Sequence, residues 1–219
     1  MNKLNIYSIF PSVEGEVSLY GQGRLTTFIR FAECNLTPPC KYCDTTYALK
    51  KSSGTEMTVQ QVFDKVKEIG IPKVTITGGE PLLQSEGFYE LTKKLYWENY
   101  RVSVETNGTL PCVGYGVGSW IVDYKLPSSG CMDKMNLAAF ENLRGTDYVK
   151  FVIEDETDFL EALNFKEWLQ IRNNVHFAFS PSHGNLSPDE LISWLMKEKV
   201  YDAILNVQLH KVLNLKEEK

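Results

Sequence analysis

Three of the five cysteines crowd one short stretch, Cys34, Cys40 and Cys43, while Cys112 and Cys131 stand alone. Thiolates are the ligands of iron–sulfur clusters and of zinc, and a tight loop brings its sulfurs together. Three thiolates can hold three irons of a 4Fe–4S cube and leave the fourth iron open to a non-protein ligand. Structural zinc wants four ligands. The fourth would have to be Cys112, Cys131, His176, His183 or His210, none at finger spacing. The trio alone leaves both readings open. The two lone cysteines read as small buried hydrophobes. An odd cysteine count, with no apolar stretch near Met1 before Pro11 and Glu14, speaks against a disulfide framework and for a reducing, cytoplasmic setting.

Further polar clusters follow apolar runs. Val74-Thr75-Ile76-Thr77 runs into Gly78-Gly79-Glu80-Pro81, where glycines expose backbone groups to a close ligand and Glu80 can pair with an ammonium. Glu105-Thr106-Asn107-Gly108, Asp123-Tyr124-Lys125 and Ser180-Pro181 each follow a short apolar run in the same way. Arg30 interrupts Phe28-Ile29-Arg30-Phe31 on the side that alternation gives to Phe28, a costly position unless an anion meets it.

These clusters need elements to position them. Strands are expected at 25–31, 73–77, 101–105, 120–124, 148–153, 175–179 and 203–209. Helices are expected at 58–69, 88–98, 136–143, within 165–171, and from Ser187 onward. Thr58 with Gln61, and Ser187 with Glu190, form capping boxes, the second with Pro188 in its first turn. Six or seven β/α alternations imply an α/β protein with a largely parallel sheet. The 219 residues are too few for a full eight-fold barrel of ~250, so an abbreviated, partial (β/α) barrel in a single domain, 1–219, is expected. Ligands of such sheets sit at the C-terminal strand ends, where the polar clusters fall.

Composition narrows the chemistry. Hydrophobic residues make up 43% and charged residues 23%, which excludes a disordered chain. No apolar run reaches the ~18–20 residues of a membrane span. A net charge of −5 excludes the basic footprint of a general nucleic-acid binder, leaving small-molecule chemistry or a protein partner.

The cysteine trio followed by Gly78-Gly79-Glu80 resembles the radical S-adenosylmethionine superfamily. Five residues separate Cys34 from Cys40 where three are usual there, and Pro38-Pro39 fits an enlarged loop. The flanks narrow the resemblance to the 7-carboxy-7-deazaguanine synthases. They are Ile9 to Glu16, Phe28-Ile29-Arg30-Phe31, Cys43-Asp44-Thr45-Thr46, Val104 to Thr109 and Gln208-Leu209-His210-Lys211. That resemblance implies a lyase of queuosine and 7-deazapurine biosynthesis. It contracts 6-carboxy-5,6,7,8-tetrahydropterin to 7-carboxy-7-deazaguanine with loss of ammonia, using a 4Fe–4S cluster, S-adenosylmethionine and Mg²⁺. It also implies a homodimer served by an electron donor such as flavodoxin or ferredoxin. The rivals are an activase of glycyl-radical enzymes, within the same superfamily, and a non-catalytic zinc-stabilised adaptor.

The resemblance implies roles by position. Cys34, Cys40 and Cys43 hold the cluster, and Tyr42 meets the adenine. Gly79 and Glu80 cradle the methionine, Thr45 ligates Mg²⁺, Arg30 clamps the substrate carboxylate, and Thr77 and His210 contact substrate. Val13, Glu14, Gly15 and Glu16 meet the donor edge of the pterin, with Glu14 standing where the family usually has glutamine. Glu105 and Asn107 are ribose candidates. Ser180 matches a cofactor position, and Asp123-Tyr124-Lys125 stands where Ser-Pro-Lys is common, with Lys125 retained.

Overall fold

The computed structural model describes residues 2–213 and 215, so Met1, residue 214 and residues 216–219 of the expected 1–219 domain lie outside it. One nine-stranded sheet forms the scaffold. In chain order the strands are β1 (Lys3–Val13), β2 (Leu25–Phe31), β3 (Thr55–Thr58), β4 (Lys73–Gly78), β5 (Arg101–Thr106), β6 (Ser119–Asp123), β7 (Tyr148–Ile153), β8 (His176–Pro181) and β9 (Ile204–Leu205). Their spatial order is β3-β1-β2-β4-β5-β6-β7-β8-β9. From β2 onward every pairing is parallel, while β1 runs antiparallel to both β2 and β3. The expected α/β class and partial parallel barrel are therefore present.

The helices are α1 (Val59–Ile69), α2 (Ser85–Trp97), α3 (Glu156–Gln170), α4 (Pro188–Lys197) and the short α5 (Leu209–Val212). The capping box of α1 forms as expected: Thr58 accepts from the Gln61 amide at 3.2 Å, and the Gln61 side chain accepts from the Thr58 amide at 2.8 Å. At α4 the Ser187 hydroxyl accepts from the Glu190 amide at 3.1 Å. The return contact from Glu190 does not form among the described residues.

Alternation along the strands separates two environments. Val74, Ile76, Val102, Val104, Val122, Val149 and Phe151 join the apolar core beneath α1 to α4. The intervening residues Thr75, Thr77, Ser103, Glu105, Asp123 and Lys150 exchange hydrogen bonds and ion pairs with one another or with the β1–β2 segment. A period of two thus turns a polar stripe into the barrel interior.

Several elements depart from expectation. β1 was not anticipated, because its register shifts between Ile6 and Ser8 and breaks the alternation that marks a strand. β3 is a four-residue polar edge strand without an apolar pattern. The expected helix at 136–143 is only a 3₁₀ turn, Leu137–Ala139, because the Asn136 side chain takes the Ala138 amide and the segment is too short to propagate. Four of the six connections between successive parallel strands carry an α-helix, whereas β5–β6 and β6–β7 cross through irregular chain and 3₁₀ turns. The expected strand at 203–209 ends after Leu205. Buried Asn206 draws the chain off the sheet, accepting from the Val17 amide at 3.1 Å and donating to the Ser180 hydroxyl at 2.8 Å.

Candidate active site

A cavity of about 400 Å³ opens at the C-terminal ends of the parallel strands. Its wall includes Val13 from the end of β1, Gly15 and Glu16 from the β1–β2 connection, Arg30 from β2, and Cys34, Cys40, Tyr42, Cys43 and Thr45 from the following loop. Thr77 and Gly79 (end of β4), Glu105 and Asn107 (end of β5), Asp123 and Lys125 (end of β6) and His210 (α5) complete the set. Sixteen of the twenty residues singled out in the sequence therefore meet at one cavity.

The cysteine loop is pinned against β4 by close backbone contacts. Gly79 donates to the Phe31 carbonyl at 3.0 Å, and Glu80 donates to the Glu33 carbonyl at 2.7 Å. A Cβ on Gly79 would lie 2.0 Å from the Glu33 carbonyl oxygen, so only glycine permits this approach. Burial pushes the Cys40 thiol up to about 12, which disfavours the thiolate unless a cation neutralises it. Among the described residues no three His, Cys, Asp or Glu side chains converge on a single-ion position.

Charges inside the cavity are arranged in alternation. Lys150 on β7 pairs with Glu16 at 2.5 Å and with Asp123 at 3.3 Å, and Lys125 pairs with Asp123 at 2.9 Å. Burial opposes the charge on Asp123, but the two lysines outweigh it and hold the carboxyl below its ordinary range. Glu105 accepts from the Thr77 hydroxyl at 2.7 Å, yet burial and then the charges of Glu16 and Glu14 push it up to about 7. Lys125 also lies 5.4 Å from the centre of the Tyr42 ring. Asp123 Oδ1 and the Tyr42 hydroxyl are buried without a hydrogen-bond partner among the described residues.

The C-terminal segment closes one side. Leu209 donates to the Gly15 carbonyl at 3.0 Å, Gln208 donates to Glu16 at 2.9 Å, and Lys211 pairs with Asp44 at 3.0 Å. The His210 ring packs on Gly15, where a Cβ would fall 2.4 Å from Nδ1. Burial lowers the His210 pKa despite Glu16 and Asp44 nearby.

Comparison with known proteins settles the family. Residues 28–112 match the Radical SAM superfamily model. The chain is 36% identical to the 7-carboxy-7-deazaguanine synthase of Clostridium acetobutylicum, covering 93% of this chain and 96% of that protein. It is 37% identical to the synthase of Chlorobaculum tepidum, covering 96% and 94%. The chain belongs to the 7-carboxy-7-deazaguanine synthase family. The crystal structure of QueE from Escherichia coli shares the fold with a TM-score of 0.77 over 94% of each chain, at 19% identity. The cofactor set of this radical enzyme family is the expected one: a 4Fe–4S cluster, S-adenosylmethionine and Mg²⁺.

The residues present suit that set. A loop of three thiols is cluster chemistry, and a buried carboxylate oxygen and a phenol without partners suit the polar groups of a nucleoside. Four expected contacts lie away from the cavity wall. Glu14 is buried below it, paired with Lys73 and accepting from Thr75 at 2.8 Å. Glu80 is fully buried and accepts from the Leu82 and Asn107 amides and the Thr106 hydroxyl, so its carboxylate is not offered to an ammonium. Tyr124 falls on the helix-facing side of its strand and stacks on Phe165 at 3.7 Å. The Ser180 hydroxyl is taken by Asn206. Sequence reasoning missed Lys150, Gln208 and Lys211 as wall residues. Lys150 had a signal, since it is the lone cation in the apolar run of β7, as Arg30 is in β2.

Proposed function

We propose that the chain converts 6-carboxy-5,6,7,8-tetrahydropterin to 7-carboxy-7-deazaguanine with release of ammonia, the cavity at the strand ends being its active site. The observation that carries this reading is the meeting of the cysteine loop, the Gly79 backbone and a buried arginine at one cavity, in a chain resembling synthases along almost its whole length. When bound, the cluster and S-adenosylmethionine supply the one-electron chemistry that removes a hydrogen atom from the substrate. Cys34, Cys40 and Cys43 hold the cluster, and the Gly79 segment, Tyr42, Asp123 and Lys125 orient the S-adenosylmethionine.

The remaining wall residues act on the pterin. Arg30, 7% exposed and 5.8 Å from the Tyr47 ring centre, presents a planar cation suited to the substrate carboxylate. Glu16, held by Lys150 and Gln208, offers acceptor oxygens to the ring N–H and amine donors, and backbone groups of Val13 and Gly15 flank them. Thr45 offers a hard oxygen to Mg²⁺ beside Asp44. Thr77 and His210 line the substrate side, with Glu105 between substrate and ribose. The C-terminal segment excludes water from a reactive intermediate. One cytoplasmic domain, working as a homodimer with a flavodoxin- or ferredoxin-like donor and without nucleic acid, completes the reading. Among the described residues no helix is long and apolar enough to cross a membrane.

The test is anaerobic incubation of reconstituted protein with the pterin, S-adenosylmethionine, Mg²⁺ and a reductant. The expected result is 7-carboxy-7-deazaguanine with one ammonia per turnover. Cleavage of S-adenosylmethionine without that product would place the substrate in another class.

A further inference from the structure

Asn107 lies at the cavity wall just past β5, and the resemblance makes it a ribose candidate. Its side chain is already committed elsewhere. Nδ2 donates to Cys34 Sγ at 3.6 Å and to Asn35 Oδ1 at 3.0 Å. Oδ1 accepts from the Thr109 amide at 3.1 Å and from the Thr109 hydroxyl at 2.6 Å. Two donor hydrogens and two acceptor lone pairs are thus all engaged, and none remains for a ribose. Of the three clustered cysteines, Cys34 alone has its sulfur hydrogen-bonded by a side chain among the described residues.

The amide is held rigidly. The Asn107 main-chain N–H donates to Glu80 Oε2 at 2.8 Å, and the same carboxylate takes the Thr106 hydroxyl at 2.9 Å and the Leu82 amide at 3.0 Å. Glu80, with no exposed surface, therefore ties the end of β5 to the segment that packs on the cysteine loop.

We propose that Asn107 is a positioning residue of the cluster, whose N–H···S bond orients the Cys34 thiolate and raises the potential at which the cluster takes up an electron. The proposal rests on the reading that Cys34 is a cluster ligand. Added electron density is shared with the ligand sulfurs, so a donor aimed at one of them binds the reduced state more strongly than the oxidised state. Hydrogen bonds to sulfur and outer-shell partners are established levers on such centres. An enzyme that must pass an electron to a sulfonium needs a low potential that is still within reach of its donor. Asn107 adjusts that balance without touching substrate.

The experiment is a potentiometric titration of the anaerobically reconstituted full chain, followed by the electron paramagnetic resonance signal of the reduced cluster, without S-adenosylmethionine. Asn107→Ala and Asn107→Asp both keep the main-chain bond to Glu80 and remove the donor to sulfur. Both are expected to hold iron and sulfide as the wild type does and to be about tenfold harder to reduce, a fall of about 59 mV for one electron. Thr109→Val removes the neighbouring hydroxyl but leaves the amide on Cys34, so its potential should match the wild type. Unchanged potentials in both Asn107 variants overturn the proposal. So does an equal shift in Thr109→Val, because loop order rather than the sulfur bond would then set the potential. Loss of the cluster from both Asn107 variants overturns the electronic part and leaves a purely structural role. A wild-type chain that binds no cluster refutes the reading of the site itself, a distinct result.

Discussion

Replacing Lys73 with methionine should destabilise the protein severely although it lies below the cavity wall. Lys73 opens β4 and pairs with Glu14 below the cavity, the two side chains being 5% and 1% exposed. Its ammonium also reaches Thr75 at 2.8 Å and Ser103 at 3.1 Å, and Glu14 accepts from Thr75 at 2.8 Å. Removing the lysine leaves an ionised carboxylate in the barrel interior with only hydroxyl donors. Stripping one partner from a buried pair costs about 3–5 kcal/mol. At ~2–4 °C of melting temperature per kcal/mol for a chain this size, the loss is about 6–20 °C. Glu14→Gln in the same background removes the stranded charge, so Glu14→Gln/Lys73→Met should recover much of the loss, with a coupling of up to about 3 kcal/mol. Urea unfolding of the four proteins measures this directly, and equal denaturant slopes would show that the denatured state is unchanged. Pterin affinity of Glu14→Gln should stay near wild type, because the carboxylate does not reach the cavity wall. A Lys73→Met variant within 1 kcal/mol of wild type would refute the pairing argument. A tenfold loss of pterin affinity in Glu14→Gln would return that residue to the substrate.

Arg30→Ala should weaken pterin binding some tens-fold or more, measured by calorimetry, while cluster content and uncoupled S-adenosylmethionine cleavage persist; a charge-assisted bond whose partner stays buried is worth ~2–5 kcal/mol, or about 30-fold at the low end. Thr45→Ala should keep the cluster and lose most of the response of turnover to added Mg²⁺, and a full response would remove Thr45 from the metal shell. Glu105 keeps a proton in the folded state up to about pH 7, whereas its ordinary value is 4.5, so the folded state binds the extra proton between them and its stability falls as pH rises through that window. Glu105→Gln should flatten the decline between about pH 5 and pH 8 in urea melts, and an unchanged slope would assign it to other groups.

How much of this could be read from the chain depends on the range of the interaction involved. Local signals worked where one element decides the outcome. Thr58 and Gln61 cap α1 because both partners lie within one helical turn, and the parallel strands declare themselves through short β-branched runs. The cysteine trio and Gly79 were readable because their chemistry requires residue types few other roles require. Asn206 was not readable, since its partners Val17 and Ser180 lie far away in sequence and come together only after the sheet forms. The same holds for β1, whose strand character comes from pairing with β2 and β3 rather than from its own pattern.

Three of the four expected contacts that miss the cavity share one cause, Ser180 being lost instead to its bond with Asn206. A motif gives residue type and spacing but not which way a side chain points once the strand has paired. Tyr124 follows Asp123 directly, so the period of two that puts the carboxylate in the barrel sends the ring into the helical layer against Phe165. Glu80 follows a glycine that must lie on the cysteine loop, and that approach turns its carboxylate inward to the end of β5. Glu14 meets Lys73 because both occupy the lower interior, where a lone charge would be costly and a pair is tolerated. In each case the residue supports the cavity from behind: Glu80 holds the loop bearing Asn107, Tyr124 anchors the strand that presents Asp123 and Lys125, and Glu14 braces the β1–β2 connection that offers Gly15 and Glu16. A motif glutamate or tyrosine can therefore serve the chemistry by fixing its neighbours, and substitutions there should disturb geometry and stability before they disturb ligand contacts.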